Sequence, residues 1–202
     1  MLPQTPIKKP TTAERMVSPM IIDLCKAGQE KGYSALYEAC APYVYTIIKS
    51  YITERDAHPD MMQEVFAQLF LKLDSYDSSK GAFKYWLRRI AVNLCLMKLR
   101  KTEVLDTVIP LENHPAIYER QGYGMDIELN QLSKKDIEAL LARMPGGYRT
   151  IFLLIAIDEY SHEEVSEMLG ISPETSRSQY FKAKKWIRNK VMNQANAVRY
   201  GF

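Results

Sequence analysis

The sequence predicts an all-α protein: two small helical domains joined by a flexible acidic linker. Three observations lead there. Apolar residues recur at helical spacing, and no segment sustains the alternation of a strand. That period is lost between residues 102 and 132, where Pro110, Pro115, Gly122 and Gly124 fall. The sign of the charge changes at the same two borders.

Residues 1–20 are polar and Pro-rich and read as a flexible tail. Amphipathic sequence begins directly after Met20, which makes that residue an alternative start. Helices are expected near 21–29, near 33–40, and from Pro42 to about Ile52. Pro59 suits the first turn of a helix carrying Met62, Val65, Phe66, Leu69 and Leu73 on one side. Tyr76 to Gly81 form a loop. A long helix follows, with Phe83, Trp86, Leu87, Ile90, Ala91, Leu94 and Met97 on a helical period. The first domain therefore spans 21–102. The linker, 103–132, is too long for a simple connection. The second domain, 133–194, opens on Ser133, whose spacing to Asp136 is that of a capping box. Ile137, Leu140, Leu141 and Met144 follow, and Pro145 opens a further helix with Tyr148, Ile151, Phe152 and Ile155.

Charge sharpens the division. Between Ser78 and Thr102 stand seven Lys or Arg and no acid. From Thr102 to Leu132 there are six acids against Arg120 alone, and from Thr175 onward seven bases and no acid. A solvated surface usually mixes signs, so three blocks of alternating sign imply separate partners. The net charge of +3 is by itself a weak pointer to nucleic acid.

Several classes are set aside. No apolar run approaches the roughly 20 residues of a membrane helix, and the start lacks the apolar stretch of a secretory signal. A cytoplasmic protein with no membrane segment of its own is expected. Cys25, Cys40 and Cys95 stand among apolar neighbours and read as reduced, buried thiols. His58, His114 and His162 form no ligand pair, so neither a metal nor a cofactor is expected. Paired carboxylates in a pocket context, a glycine-rich phosphate loop and a nucleophile–His arrangement are all missing from the sequence, so it is read as no enzyme. Cys95 and His162 read as isolated.

The sharpest local signal runs from Tyr160 to Ser178. Ser161 and Glu164 have capping-box spacing, and Val165, Met168 and Leu169 face inward behind them. Gly170 sits where the helix must stop and the chain turn. Ile171 plugs the angle, Ser172 caps the next helix and Pro173 fits its first turn. This is a helix-turn-helix, whose second helix matches the major groove. Glu174, Thr175, Arg177 and Ser178 would meet base edges, with Arg177 suited to guanine. Lys182, Lys184, Lys185 and Arg188 lie further along and would neutralise phosphates. An ordinary helical hairpin would account for the two helices but not for the caps, Gly170 and the acid-free basic helix together.

Motifs in both halves extend the reading. Asp60-Met61-Met62-Gln63-Glu64-Val65-Phe66, Gly81 to Asn93, Met144-Pro145 with Tyr148-Arg149, and Ser172 to Lys184 occur in that order. Together, over about residues 21–192, they resemble the extracytoplasmic-function group of bacterial sigma factors, in the sigma-70 family. The resemblance implies a region 2 helical bundle and a region 4 helix-turn-helix. It implies that Asp60, Gln63, Glu64 and Phe66 dock on the clamp helices of the large subunit of core RNA polymerase. It implies that the Asp74–Gly81 loop and the basic helix after it hold the melted minus-ten strand, through Tyr76, Asp77, Ser78, Lys80, Lys84, Tyr85, Arg88, Arg89 and Asn93. Cationic grooves with aromatic platforms suit such a strand; Tyr76 and Tyr85 are the better stacking candidates, while Phe83 and Trp86 fall on the apolar face. The recognition helix would take the minus-thirty-five box, the acidic linker would run through polymerase channels, and an anti-sigma protein would be a partner. Ser166, Ser176 and Gln179 depart from the family pattern of Ala, Val and Arg. The two hydroxyls need partners, expected to be carbonyls one turn back, and Gln179 removes one charge. A helix-turn-helix regulator acting alone on an operator is the alternative; it leaves the first half without a purpose.

Overall fold

The computed structural model describes residues 16–101 and 133–200. The expected linker and residues 1–15 of the expected tail lie outside the described residues. Every regular element described is helical, and the chain divides into two compact units between Lys98 and Leu99.

Structure in the N-terminal unit begins before residue 21. Val17 is buried, and Pro19 occupies the first turn of α1 (Pro19–Lys26). Gly28, at φ 71°, turns the chain into α2 (Glu30–Tyr51). The two helices expected over 33–40 and 42–52 are thus one. Pro42 removes a single backbone donor, and it does so on the solvent side of the helix, where Pro42 and Glu38, whose carbonyl loses that donor, are both exposed. The buried stripe of Leu36, Cys40, Val44, Ile47, Ile48 and Tyr51 continues through the proline and holds the helix together.

A close approach joins α1 to α2. A Cβ placed on Gly32 would lie 2.7 Å from the backbone nitrogen of Cys25 and 2.8 Å from the backbone carbon of Leu24. Only a residue without a side chain fits there. Next comes α3 (His58–Lys72), with Pro59 in its first turn as expected. Buried His58 ties its start to the end of α2 by donating Nε2–H to the Ile52 carbonyl at 3.0 Å. Short 3₁₀ turns at Leu73–Ser75 and Ser78–Lys80 lead into α4 (Phe83–Lys101). All three cysteines are buried outside any disulfide, and burial, reinforced by Cys25, pushes the Cys40 thiol up to about 12. Such thiols are inert.

In the C-terminal unit the capping box of Ser133 and Asp136 opens α5 (Lys134–Arg143). After α6 (Gly146–Phe152) the chain widens into a π-helical segment, Leu153–Ile157, and turns at Glu159 with φ 58°. Ile155 therefore lies beyond the α-helix in which it was expected. The helix-turn-helix pair follows: α7 (His162–Leu169) and α8 (Pro173–Tyr200). The backbone of α8 stays helical well past the expected border near 194. Leu140, Met144, Phe152, Ala183 and Ile187 form a core, with Tyr148, Tyr180 and Trp186 packed against it. Among the described residues, no helix is long and apolar enough to cross a membrane.

Gly32→Ala should destabilise the N-terminal unit by about 2–3 kcal/mol, because backbone rather than a flexible side-chain end must move to admit the methyl group. Urea unfolding should show the loss, while Gly170→Ala, with open space around its Cβ but a positive φ, should cost less, about 1 kcal/mol.

Candidate nucleic-acid interface

The loop before α4 is fixed from inside. Asp77 caps its 3₁₀ turn, accepting from Ser79 N–H at 2.9 Å and from Ser79 Oγ–H at 2.7 Å. These bonds, the side-chain one foremost, hold the Asp77 carboxyl below the usual carboxylate range. Tyr76 donates its hydroxyl to the Gly81 carbonyl at 3.1 Å. Its ring packs edge-on against Phe83 at 5.1 Å and tilted against Trp86 at 5.3 Å. Tyr76 is therefore a half-buried support of the loop and not the free stacking platform expected of it; burial also raises its phenol. Phe83 is buried, as its place on the apolar face predicted.

Outward from this cluster, α4 presents two sets of residues. Tyr85, Arg89 and Asn93, at four-residue spacing, share one exposed face. Lys84 and Arg88 lie on a neighbouring face above Tyr43 of α2. The Lys84 ammonium stands 5.4 Å from the Tyr43 ring centre, and Arg88 Nη1 is 3.5 Å from its hydroxyl. Ser78 and Lys80 are exposed in the loop, Lys80 lying 4.0 Å from Asp77. A cleft of about 370 Å³ opens beside the loop, lined by Tyr76, Gly81 and Phe83 on one side and Val17, Ile22 and Lys26 on the other. Lys26 helps close it by donating to the Tyr76 carbonyl at 3.3 Å. Its size falls in the range of roughly 300–1,000 Å³ usual for clefts that hold small organic groups.

On α3, Asp60, Gln63 and Glu64 are exposed as expected. Phe66 is not: only 4% of it is accessible, and its ring lies 4.4 Å from Tyr37 and 6.0 Å from Phe70. The helical period places position 66 on the core side together with Val65 and Leu69. Exposed aromatic surface near the acids comes from α2 instead, through Tyr37 and Tyr45. With His58, Met62 and Gln63 they line a groove of about 460 Å³.

The helix-turn-helix closes as its sequence signals require. Ser161 accepts from Glu164 N–H at 3.1 Å, and Glu164 accepts from Ser161 N–H at 2.8 Å. Gly170 takes φ 69°, and Ser172 accepts from Thr175 N–H at 3.1 Å. From the start of α8, Glu174 and Arg177 are exposed, with Thr175 and Ser178 half-buried beside them. Lys185 and Arg188 stand exposed further along, and Lys182 and Lys184 lie half-buried. The Lys184 ammonium sits 4.8 Å from the Tyr180 ring centre.

Three departures from the family pattern now have surroundings. Ser166 donates to the Glu163 carbonyl at 2.8 Å, the bond one turn back that was expected. Ser176, fully buried, pairs instead with His162, its Oγ 2.9 Å from Nδ1. His162 is thus not isolated: it braces the first turn of α7 against the first turn of α8, with its ring edge-on to Tyr180 at 5.9 Å. Gln179 is buried, so it takes no charge from the exposed face of α8, and its Oε1 lacks a hydrogen-bond partner among the described residues.

One further pairing was not foreseen. Arg177 donates from Nη2 to Glu163 at 2.6 Å and from Nη1 to Glu174 at 3.5 Å. Glu163–Arg177 and His162–Ser176 both span fourteen residues. That shared offset is what the turn at Gly170 brings together, and it is the signal by which both pairs could have been found.

Residues 36–104 match sigma-70 region 2, and residues 134–187 match sigma-70 region 4. The ECF RNA polymerase sigma-E factor of Escherichia coli is 28% identical over 190 residues, covering 89% of this chain and 96% of the relative. That of Haemophilus influenzae is 24% identical over 189 residues, covering 89% and 97%. Among solved structures, the sigma factor RpoE in complex with the anti-sigma factor NepR from Bartonella quintana aligns with a TM-score of 0.48 at 21% identity, covering 80% of this chain and 98% of that one. The chain belongs to the sigma-70 family of bacterial RNA polymerase sigma factors, in its extracytoplasmic-function group.

Burial, and after it the Arg177 charge, hold the His162 imidazole below its ordinary value, with Glu163 opposing and Lys184 adding slightly. The unfolded chain therefore binds the proton more readily than the folded one. Stability of the C-terminal unit should be full above the ordinary value of 6.5 and fall as pH drops below it. Urea midpoints between pH 7.5 and 5 should show that fall, and His162→Gln, which keeps a partner for Ser176, should flatten it.

Proposed function

We propose that this sigma factor joins core RNA polymerase, sets α8 in the major groove of the minus-thirty-five box, and captures the melted minus-ten strand on α4 and its loop. The observation that carries the reading is the start of α8. A capped helix leaves a left-handed glycine with Glu174 and Arg177 exposed in its first turns, and Lys185 and Arg188 follow with no acid among them. Side chains at the start of such a helix reach base edges, and cations further along meet phosphates.

On the minus-ten side, Tyr85, Arg89 and Asn93 form the stacking and polar face, with Lys84 and Arg88 held beside them by Tyr43. The cleft between the loop and α1 receives a base turned out of the stack, which is how proteins gain access to an unpaired base. Polymerase docking falls to Asp60, Gln63 and Glu64, with the exposed rings of Tyr37 and Tyr45 in place of Phe66; acids beside exposed aromatic area make a recognisable partner surface. The factor acts in the cytoplasm by binding rather than catalysis, and an anti-sigma protein covers these surfaces when initiation is held off.

Run-off transcription with core polymerase tests the whole reading. Gln63→Ala with Glu64→Lys should reduce association with core and lower transcripts from every promoter alike; unchanged transcription would sink the docking assignment. Arg177→Ala should lose roughly 1–3 kcal/mol on the preferred site and relax base choice there. Lys184→Ala should instead weaken all sequences about equally and lower the salt dependence. Uniform loss in both would mean that Arg177 does not read bases.

A further inference from the structure

We infer that Glu163, on α7, is a positioning residue for Arg177 and sets base discrimination at the minus-thirty-five box without itself touching DNA. The inference rests on the reading of α8 as the recognition helix. Glu163 and Arg177 are joined at 2.6 Å although both are largely in solvent, with 63% and 47% of their side chains accessible. Exposed ion pairs contribute little to folding, so stability does not account for this one.

Its geometry does. An arginine on a helix surface samples many rotamers, and paired recognition of guanine requires its plane to be aimed. Here the guanidinium is held from two helices. Glu163 takes Nη2 from α7, while Glu174, one turn back on α8, lies 3.5 Å from Nη1. The carboxylate of Glu163 is carried on a first turn that is itself secured by the Ser161–Glu164 capping box and by His162 against Ser176. Five N–H groups belong to a guanidinium, so donors remain for a base while these two contacts persist. The same carboxylate opposes the phosphates, which lowers attraction to every sequence equally. Fixing the reader while reducing general attraction raises the difference between right and wrong sites, which is what specificity is.

The test is selection by holoenzyme, full-length factor on core polymerase, from a promoter library randomised over the minus-thirty-five box, with transcripts sequenced. Glu163→Gln should weaken the preference at the one base position that Arg177→Ala abolishes, by roughly three- to tenfold, within the range of couplings between contacting groups. Preferences at other positions, and the unfolding midpoint, should stay as they were. Holoenzyme retention on unrelated duplex DNA should rise. In an Arg177→Ala background, Glu163→Gln should change no base preference. If Glu163→Gln sharpens discrimination, or acts equally with and without Arg177, the inference is overturned. If Arg177→Ala alone leaves every base preference intact, the recognition-helix reading itself fails.

Discussion

The chain reversal at Gly170 governs the C-terminal unit. With φ at 69°, the backbone leaves α7 in a conformation that costs an L-residue roughly 1–2 kcal/mol and glycine almost nothing. The direction of α8 follows from it, and so does the facing of two first turns that lie fourteen residues apart. His162 with Ser176 and Glu163 with Arg177 are consequences of that reversal. One pair is half-buried, the other exposed and charged. The first pair resists a change of angle, because separating it would leave the buried Ser176 hydroxyl unpaired. The exposed pair adds little to folding but ties Arg177 of α8 to α7.

A second constraint is electrostatic. Helices as basic as α4, with six bases and no acid, and α8, with seven bases against Glu174 alone, repel themselves, and their long side chains lose order in water. The structure answers with aromatic rings. Tyr43 lies under Lys84 and beside Arg88, Tyr180 under Lys184, and Trp186 under Lys190. A ring face attracts a cation without cancelling its charge. Each ammonium is thereby held near its helix while remaining available to an anion, which an acidic partner would not allow.

Much of this was legible in the sequence, for identifiable reasons. Caps, Gly170 and the helical periods depend on neighbours a few residues apart, so Ser133–Asp136, Ser161–Glu164 and the extent of α3 were readable directly. What was missed depends on partners far along the chain. Pro42 was read as a break because its local cost was visible while the buried stripe on both sides of it was not weighed. Phe66 and Tyr76 were assigned outward roles from motif position, although their contacts with Tyr37, Phe83 and Trp86 turn them inward. Gln179 was read as a lost surface charge because exposure of a helix position is settled by what packs on it. His162 looked solitary because its partner lies across a turn.

Gly32 has a meaning beyond packing. At Gly32 the joint between α1 and α2 brings the two backbones together, with no room for a side chain on the α2 side. Val17, Ile22 and Lys26, one wall of the cleft beside the loop from Tyr76 to Gly81, ride on that joint or just before it. The spacing of this wall is therefore a fixed gauge, as in a tool whose anvil does not move. Within the cleft, α1 supplies the reference against which the loop from Tyr76 to Phe83 is set.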